Sequence, residues 1–411
     1  MTLTPGDAFG MMRPSRRNAI HRCPAATGRC RGDPFEEAHV THSTASSGAP
    51  VGVGVIGAGV ISQIYLKNLS TRFPGVRVVG VADIVPAAAQ ARADEFGVAA
   101  LTVDELLAHP EIGIVLNLTI PAAHYPVAMQ AVAAGKSVYN EKPLAGEVGQ
   151  GQELLEAAKA AGVLVGGAPD TFLGAGLQTV RRLVDEGAIG EPVAASGAML
   201  SSGHESWHPN PAFYYQPGAG PMLDMGPYYV TALVSILGPV RRVSSLARAS
   251  FPTRTITSEP RRGEIIAVNT PSHIAALLEF ADGPIGSLTT SFDTWDTDHA
   301  LLTIYGSAGS IRLPDPNTFG GPVQLMRAEN PREKRWEDVP LDEGYADNAR
   351  GLGVADLARA LRTGESPRAS GAMAFHVLEV MHATLLSGER GEHIAIGSTM
   401  TRPAPLELAG L

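Results

Sequence analysis

The sequence predicts two kinds of domain in succession, an α/β domain with a parallel sheet and an α+β domain with a large, mainly antiparallel sheet. From Val51 to Asp170, short β-branched runs alternate with stretches of helical apolar spacing. Continuous apolar strands separated by helices indicate a parallel sheet that is covered on both faces. After Asp170, strands follow one another with only turns between them, as in an antiparallel sheet. A glycine turn directly after the first strand makes the α/β domain a Rossmann domain.

Three segments follow from the length and the changes in composition. At 411 residues the chain exceeds the roughly 250–300 residues at which a single core usually stops growing. Residues 1–50 show no apolar periodicity, so we expect a disordered N-terminal extension. Residues 51–170 then form the Rossmann domain, and residues 171–411 form the α+β domain, to which we assign substrate binding and oligomerisation.

Composition and charge narrow the expected partners and compartment. The net charge is −9 and no basic block occurs, so nucleic acid is not an expected partner. No apolar run approaches the roughly 18–20 residues that span a bilayer, and residues 1–50 lack the apolar stretch of a secretory signal. We therefore expect no membrane contact and a cytoplasmic protein. Cys23 and Cys30 have no Cys/His quartet around them, so no metal is predicted.

In the Rossmann domain, each predicted strand is a short β-branched run bounded by turn residues. The expected strands are Val53–Ile56, Val76–Ala82, Ile112–Thr119, Ser137–Asn140 and Val163–Gly166, and the expected helices include Pro121–Ala134 and Glu147–Ala161. Because these strands are parallel, their carboxyl ends form one edge, where a ligand is expected.

In the α+β domain, a helix comes first, strands joined by turns follow, and two late helices pack back on the body. These elements are the helix Phe172–Glu186, the strands Val193–Leu200, Val243–Ala249, His273–Phe280, Ile285–Phe292 and Ala300–Tyr305, and the helices Ala346–Arg362 and Gly371–Leu386. The order predicts an antiparallel sheet with helices segregated to one face.

The turn after the first strand has the residues of a dinucleotide site. Gly57 permits a tight turn, and Gly59 lets the backbone approach a pyrophosphate. Val60 and Ile61 begin the following helix, whose first N–H groups would bind the phosphate charge. Ser62 stands where the usual fingerprint has a third glycine or alanine, and it is small enough for close packing of helix on strand.

Asp83 closes the second strand 24 residues after Gly59, where a carboxylate accepts hydrogen bonds from an adenosine ribose. A 2′-phosphate would be repelled there, and Ile84 supplies no compensating cation. We therefore predict NAD as the cofactor and consider NADP less favoured. The alternative is that Asp83 only caps the helix that begins near Pro86.

The fourth strand leads into Thr119 and Pro121, and His124 lies in the first turn of the next helix. Since the ends of adjacent parallel strands meet at one edge, these residues are expected beside the nicotinamide half of the cofactor. A histidine at such a place is as often a capping or packing residue, so both roles stay open for His124.

The tripeptide Glu141-Lys142-Pro143 stands where the next strand ends and puts an amine beside the nicotinamide. Only five of the 32 basic residues are lysines, so the chain otherwise uses arginine for positive charge. Only lysine has an amine whose pKa burial can lower enough for proton transfer. We therefore expect Lys142 to be catalytic.

A second polar motif lies in residues 218–229, where Tyr228 follows Asp224 by four residues. On a helical turn this spacing puts both side chains on one face, so a carboxylate and a phenol could meet at one substrate hydroxyl. A nearby ammonium would lower the pKa of the phenol by favouring the phenolate. The alternative is a turn carboxylate and a core aromatic side chain.

The segment His204–Pro211 collects hydrogen-bonding groups around an indole. We assign Trp207 and His208 to substrate binding, because sugar rings place C–H groups on an indole and offer hydroxyls to imidazole or amide groups. A metal site made of the segment's histidines and Glu205 is the alternative, which its two prolines and the lack of a helical scaffold disfavour.

From Val51 onward the chain resembles the glucose-fructose oxidoreductase/inositol dehydrogenase/rhizopine catabolism (Gfo/Idh/MocA) family, on the glycine turn, Glu141-Lys142-Pro143 and residues 167–174 and 218–229. The resemblance implies that Lys142 points at the reacting oxygen, that Glu141 holds the nicotinamide ribose and that the Lys142–Pro143 bond is cis. Asp170, within residues 167–174, is expected near the substrate. Many members have histidine where Tyr228 stands, and the tyrosine resembles the glucose-fructose oxidoreductase branch.

The leading prediction is an NAD-dependent oxidoreductase that transfers hydride between nicotinamide and a secondary alcohol or ketone of a sugar, polyol or inositol. One alternative is a redox-neutral NAD-dependent glycosidase or epimerase that never releases its cofactor. A non-catalytic nicotinamide-binding regulatory protein is the alternative of another class, and the joint presence of Lys142, Asp224 and Tyr228 counts against it. The exposed face of the large sheet and the resemblance imply a homodimer or homotetramer.

Overall fold

The computed structural model describes residues 48–295, 297–328 and 335–411. The predicted extension at residues 1–50, with Cys23 and Cys30, lies outside the described residues apart from its last three. Within the described part of the chain, no helix combines the length and the apolar character needed to cross a membrane.

The first sheet has six parallel strands: β1 (Val51–Ile56), β2 (Val76–Ala82), β3 (Ala99–Ala100), β4 (Ile112–Asn117), β5 (Ser137–Asn140) and β6 (Val165–Gly167). Their order is β3-β2-β1-β4-β5-β6. The connecting helices are α1 (Ser62–Thr71), α2 (Pro86–Phe96), α3 (Val103–Ala108), α4 (Pro121–Ala133) and α5 (Val148–Ala161). The strand order reverses between β1 and β4, and such a reversal opens a ligand crevice at the carboxyl ends. The predicted Rossmann domain is confirmed.

Local sequence explains where the helices of this domain begin. Pro86 and Pro121 each occupy the first turn of a helix, where the missing N–H would have had no helical partner. Thr102 and Glu105 form a capping box that starts α3. The turn residues therefore fix the lengths of the segments that bring the strand ends together.

Nine of the described strands form the second sheet. The strands of this half are β7 (Pro192–Leu200), β8 (Val240–Arg248), β9 (Thr253–Thr255), β10 (Ile265–Ala267), β11 (His273–Phe280), β12 (Ile285–Ser291), β13 (Leu302–Gly306), β14 (Gly309–Leu313), β15 (Val323–Arg327), β16 (Glu337–Val339) and β17 (Ile394–Ala395). The sheet order is β16-β15-β14-β13-β7-β12-β11-β8-β17, and β9 pairs with β10 separately. Only β7 and β12 pair in parallel within the described sheet, which confirms a mainly antiparallel sheet.

The helices of the second half are α6 (Ala175–Asp185), α7 (Pro221–Asp224), α8 (Gly226–Leu237), α9 (Leu352–Thr363) and α10 (Gly371–Arg390). Two predicted helices are shorter than expected. The expected helix Phe172–Glu186 is broken at Gly174, where a Cβ atom would lie 2.5 Å from the backbone of Phe319. The expected helix Ala346–Arg362 starts only at Leu352, because Gly351 has a φ of 104° and ends the preceding loop.

The core of the second half lies between its sheet and the helices α8 and α10. On β11, Ile274, Ala276 and Leu278 are buried, whereas the alternate residues Ala275 and Leu277 are exposed. α10 packs against β8 and α8 on the buried side. One face of the sheet is therefore covered by helices, and the other faces outward.

His376 of α10 is fully buried. Its Nε2 accepts the Val240 N–H at 2.9 Å, and its Nδ1 lies 2.9 Å from the Ser398 hydroxyl. Burial lowers the pKa of His376 to about 4. The neutral imidazole is therefore part of the core.

We expect this histidine to weaken the fold in acid. The unfolded chain takes up its proton near pH 6.5, so the stability is complete above that pH and falls by roughly 3 kcal/mol as the pH drops towards 4. His376→Gln, which can keep both hydrogen bonds without titrating, should lack this loss. Denaturant unfolding of both proteins across this pH range is the measurement, and parallel pH profiles would contradict the expectation.

Candidate active site

The glycine turn after β1 leaves space for a ligand beside its backbone. Gly57 has a φ of 108°, and a Cβ atom there would lie 2.6 Å from the Leu118 carbonyl group. A Cβ atom on Gly59 would meet no atom within 4 Å, so its backbone faces open space. The Ser62 hydroxyl donates to the Gly59 carbonyl at 2.6 Å. The hydrogen bond from Ser62 thus fixes the turn, while the backbone of Gly59 stays accessible, as a bound pyrophosphate requires.

Asp83 follows β2 and fixes two turns with one carboxylate. Its Oδ2 accepts the Ala58 N–H at 2.7 Å, and its Oδ1 accepts the Val85 N–H at 2.8 Å. The alternative that Asp83 caps the helix near Pro86 is therefore partly correct. The carboxylate accepts the N–H of Val85, the residue before α2, and it also binds the glycine turn. Each carboxylate oxygen has more than one acceptor position, so a ribose hydroxyl could still bind.

Large apolar side chains stand exposed around this edge. The exposed fractions are 91% for Val60, 94% for Ile84 and 69% for Ile120, and Ile61 and Val85 are also exposed. These residues follow β1, β2 and β4, the strands that border the crevice. An apolar crevice of this kind suits a flat heteroaromatic ring better than water.

The ends of β4 and β5 are tied by buried amides. Asn117 Nδ2 donates to the Asn140 side chain and to the His124 carbonyl, both at 3.0 Å. The Thr119 hydroxyl donates to Asn117 Oδ1 at 2.6 Å, and Pro121 begins α4 beside it. Thr119 and Pro121 therefore lie directly after the carboxyl end of β4, and their contact with the nicotinamide stays a prediction.

His124 is buried inside this edge. Its Nδ1 lies 2.6 Å from the Pro143 carbonyl and its Nε2 lies 3.0 Å from the Thr119 carbonyl. Burial lowers the pKa of His124, although both carbonyl contacts favour the charged ring. Since both ring nitrogens already face the protein, the packing interpretation explains His124 better than direct contact with the nicotinamide.

Glu141 and Lys142 follow β5 directly. Glu141 accepts the Tyr65 hydroxyl at 2.9 Å and the Lys142 backbone N–H at 2.8 Å. The Lys142–Pro143 bond is cis, as the resemblance implied. Glu141 is thereby held at the crevice floor, and Tyr65 of α1 is a partner that the sequence analysis did not identify.

Lys142 meets the two residues predicted from the second half of the chain. Its Nζ donates to the Asp224 carbonyl at 2.8 Å and lies 3.2 Å from Asp224 Oδ1. The same nitrogen lies 5.2 Å from the centre of the Tyr228 ring. Asp224 ends α7 and Tyr228 lies in the first turn of α8, so the two flank a helix junction and do not share one continuous helix. The structure nevertheless brings all three together.

The protonation state of Lys142 differs from the one that the sequence predicts. Burial opposes the charge of Lys142, yet Tyr228, Asp224 and Glu141 together raise its pKa above the ordinary value. Burial also opposes ionisation of Asp224, but Lys142 holds the pKa of that carboxyl low. Lys142 is therefore an ammonium paired with a carboxylate. Burial lowers its pKa as expected, but the neighbouring groups outweigh burial, so the expected net lowering of the pKa was wrong.

The pKa of Tyr228 is also shifted in the direction opposite to the expected one. Burial raises its pKa above the ordinary value, and the lowering influence of Lys142 does not compensate. Arg350 lies close enough to the phenol to favour its ionised form, an influence that no linear motif indicates. The same guanidinium is held by Asn317 at 2.7 Å and Asn348 at 3.0 Å.

Asp170 has a structural contact in place of the predicted substrate contact. It is buried, and its Oδ2 accepts the N–H groups of Gly351 and Gly353 at 2.9 and 3.0 Å. Burial raises the pKa of Asp170 to about 6. Its carboxyl therefore holds the start of α9, next to Arg350.

An aromatic wall stands on the other side of Asp224, formed by His204, Trp207, His208, Phe213 and Tyr214. Trp207 and Phe213 are 62% and 51% exposed at its outer end. His204 is buried at its inner end, stacked on Tyr214 with ring centres 3.7 Å apart. The predicted residues Trp207 and His208 thus lie on a wall that leads inward to Asp224.

Glu205 anchors this wall through hydrogen bonds and an ion pair. It bonds Tyr215 and Arg254, and Arg254 also pairs with Asp293. Among the described residues, no group of three or more His, Cys, Asp and Glu side chains is placed to hold a metal ion.

The parallel sheet with its glycine turn, and the Lys142–Asp224 pair beside it, define a two-domain dinucleotide-binding protein of the oxidoreductase class. Residues 51–167 match the oxidoreductase family with an NAD-binding Rossmann fold, and residues 177–312 match the GFO/IDH/MocA C-terminal domain. The chain belongs to the Gfo/Idh/MocA family.

Curated relatives include two dehydrogenases. Inositol 2-dehydrogenase/D-chiro-inositol 3-dehydrogenase of Lactiplantibacillus plantarum is 32% identical over 162 residues, which cover 38% of this chain and 43% of that protein. D-xylose dehydrogenase of Paenarthrobacter nicotinovorans is 29% identical over 259 residues, which cover 59% of this chain and 64% of that protein. The chain spans about half the length of the curated relatives it matches.

Solved structures share the fold over most of the chain. An NAD binding oxidoreductase from Klebsiella pneumoniae has a TM-score of 0.73 at 22% identity, covering 85% of this chain and 99% of that one. Levoglucosan dehydrogenase in complex with NADH and L-sorbose also has a TM-score of 0.73, at 20% identity and the same coverage. These similarities establish the two-domain fold.

Proposed function

We propose that this protein is an NAD-dependent oxidoreductase that interconverts a secondary alcohol and a ketone of a sugar, polyol or inositol. The observation that carries the proposal is the meeting of Lys142, at the end of a Rossmann strand, with Asp224 and Tyr228 from the second half. It places a proton donor, a carboxylate and a phenol at the crevice where a nicotinamide would lie. The relatives named above, an inositol dehydrogenase and a xylose dehydrogenase, agree with this substrate class.

The residues of the crevice fit a bound NAD. The Gly59 backbone would receive the pyrophosphate, Asp83 the adenosine ribose and Glu141 the nicotinamide ribose, while Val60, Ile61, Ile84 and Ile120 would cover the rings. When bound, the nicotinamide gives or accepts the hydride. The carboxylate of Asp83 favours NAD over NADP, because a 2′-phosphate would stand against a negative charge.

The raised pKa of Lys142 assigns it the role of donor in the direction of reduction. As the carbonyl carbon gains hydride, its oxygen becomes negative, and the Nζ–H would donate a proton to it. Tyr228 would donate its O–H to the same oxygen or its neighbour, since burial raises the pKa of the phenol and keeps it neutral. Asp224 keeps the ammonium in place.

The aromatic wall would bind the carbon skeleton. An indole such as that of Trp207 offers a flat apolar face to ring C–H groups, and His208 and Asn210 beside it offer partners for hydroxyls. A polyol with several hydroxyls can use both kinds of contact at once.

The proposal is tested by incubating the full chain with NAD and a panel of inositols, pentoses, hexoses and sugar alcohols while absorbance of reduced cofactor is followed. Net reduction of NAD by at least one polyol is expected. Release of an aglycone or epimerisation without net reduction would favour the redox-neutral alternative. Binding of NAD with no response to any carbohydrate would favour the non-catalytic alternative.

We also propose that the outward face of the second sheet binds a second copy of the chain. The register places Leu246, Leu277 and Ile285 on this one face, and they are 77%, 55% and 58% exposed. Tyr305 continues the same face on β13. An apolar stripe across several strands is unfavourable in water and is typical of an interface. A homodimer, or a homotetramer built from it, would cover the stripe.

We expect Leu277→Glu to shift the protein to monomer, because it would put a charge at the centre of the interface. Light scattering after size-exclusion chromatography measures the change in mass. Ile265→Glu is the matched control, since Ile265 is 72% exposed but lies on β10, outside the sheet. A monomeric parent protein at micromolar concentration, or an equal effect of the control, would count against the interface.

For the compartment we propose the cytoplasm, where the pool of NAD and of free sugars is available to such an enzyme.

A further inference from the structure

Asp224 is shared between two basic groups. Its Oδ1 lies 3.2 Å from the Lys142 ammonium, and its Oδ2 lies 3.6 Å from Nε2 of His204. Lys142 comes from the end of β5 and His204 from the segment after β7, so they are 62 residues apart in the sequence. The carboxylate therefore connects a group that can touch the substrate to an imidazole that lies behind it.

His204 is held firmly for this contact. Its ring stacks on Tyr214 at 3.7 Å with an angle of 11° and meets the edge of Phe292 at 4.5 Å. Its backbone N–H donates to the Tyr215 hydroxyl at 3.3 Å. The His204 side chain is 11% exposed, and its Nδ1 has no hydrogen-bond partner among the described atoms.

We propose that His204 is the acceptor of the proton that alcohol oxidation releases, acting through Asp224. This inference rests on the proposed function. Since His204 is separated from Lys142 by the carboxylate, it acts as a positioning and proton-holding residue and does not contact the substrate.

The site needs such a group. Lys142 already carries its proton and Tyr228 is a neutral phenol, so neither can accept the hydroxyl proton without first passing a proton on. Asp224 is the neighbour of Lys142, but a carboxylic acid is too strong an acid to keep the proton near neutral pH. Imidazole is the side chain that changes protonation in that range.

The proton balance is complete without another reactant. The substrate O–H bond breaks and a bond to Lys142 Nζ forms, while Nζ releases one of its own protons to Asp224 Oδ1. Rotation of the now protonated Asp224 carboxyl group turns its O–H towards His204, and the same proton passes to Nε2, so that Asp224 ends as a carboxylate again. The C–H electron pair leaves as hydride to the oxidised cofactor, so the net change is one ketone, one reduced cofactor and one imidazolium.

The charged and titratable groups around His204 come from several elements. Asp224 faces it from α7, and Lys142 stands behind that carboxylate. His208 lies four residues further along the same segment, and the Glu205–Arg254 pair closes the opposite side. Arg254 also pairs with Asp293, so this cluster carries one net negative charge, and Asp224 is the carboxylate that faces the imidazole at 3.6 Å.

The test compares the parent protein with His204→Gln and His204→Ala. We expect either substitution to lower kcat for polyol oxidation by about 10²-fold while KM changes by less than about threefold, and to remove the loss of kcat at acidic pH. Added imidazole should restore turnover of His204→Ala in proportion to its concentration. His109→Gln, a histidine after α3 and outside the site, is the control and should leave the pH profile unchanged.

A purely packing role for His204 predicts a different result. In that case KM or the melting temperature would change, the pH profile would keep its shape and imidazole would not rescue. That result, or an unchanged kcat in His204→Gln, would overturn the role of His204 while leaving the oxidoreductase proposal intact. A parent protein that reduces no NAD with any polyol would instead overturn the proposed function itself.

Discussion

Replacing Lys142 with methionine is expected to lower kcat by about 10²-fold to 10⁴-fold, the range typical of losing a group that transfers a proton in the transition state. Methionine has a similar length but no ammonium, so the carbonyl oxygen would lose its donor. Asp224 would also lose the partner at 3.2 Å that keeps it ionised. Steady-state kinetics in both directions, with cofactor binding followed by fluorescence, measure the effect.

Lys142→Arg is the informative second variant. Arginine keeps the positive charge and can still pair with Asp224, but its pKa is too high for it to exchange a proton during turnover. We expect this variant to fold and to bind cofactor like the parent protein while its kcat stays at least about 10-fold below. Parent-like turnover in the arginine variant would show that only the charge matters, and parent-like turnover in the methionine variant would remove Lys142 from the mechanism.

Much of the Rossmann half follows from local sequence. β2 and β5 have the predicted bounds because buried β-branched runs are cut off by turn residues on both sides. The short strands β14, β15 and β16 were missed, since five or fewer residues with interspersed charge carry little periodicity. They exist because neighbouring strands supply the partner backbone, which is a tertiary effect.

The residues of the site also fall into two groups, those that local sequence identifies and those that only the tertiary structure brings to the site. Lys142, Asp224 and Tyr228 lie in linear motifs and could be identified from the sequence. His204 belongs to a segment that the sequence singles out, but its contact with Asp224 does not follow from that segment. Arg350 and Tyr65 could not be identified, because each reaches the site from a segment with no motif of its own. Their shared signal was only a polar or aromatic residue in an ordinary stretch of chain.

The same limit explains the incorrect parts of the prediction. Asp170 sits inside a family motif, but its partners are the backbone of Gly351 and Gly353, some 180 residues later. The pKa of Lys142 was expected to fall with burial, whereas three anionic or phenolic neighbours reverse the direction. Only the packed structure determines which of these opposing influences is larger.

Asp83 should decide the choice between NAD and NADP. A carboxylate about 4 Å from a 2′-phosphate opposes it by a few kcal/mol per unit charge at an effective dielectric constant near 20. The parent protein is therefore expected to prefer NAD by at least about 100-fold in kcat/KM, since about 2.7 kcal/mol already gives that ratio. Initial rates with each cofactor at saturating polyol provide the comparison.

Asp83→Asn should reduce that preference by at least about 10-fold, mainly through weaker use of NAD and relief of the repulsion. The amide can replace only one of the two carboxylate oxygens that accept the N–H groups of Ala58 and Val85, so some loss of cofactor affinity is expected with either nucleotide. Asp94→Asn makes the same chemical change on α2, where the carboxylate only pairs with Gln90, and should leave the preference unchanged. An equal preference in the parent protein, or an undiminished one in Asp83→Asn, would mean that the adenosine ribose is recognised elsewhere in the crevice.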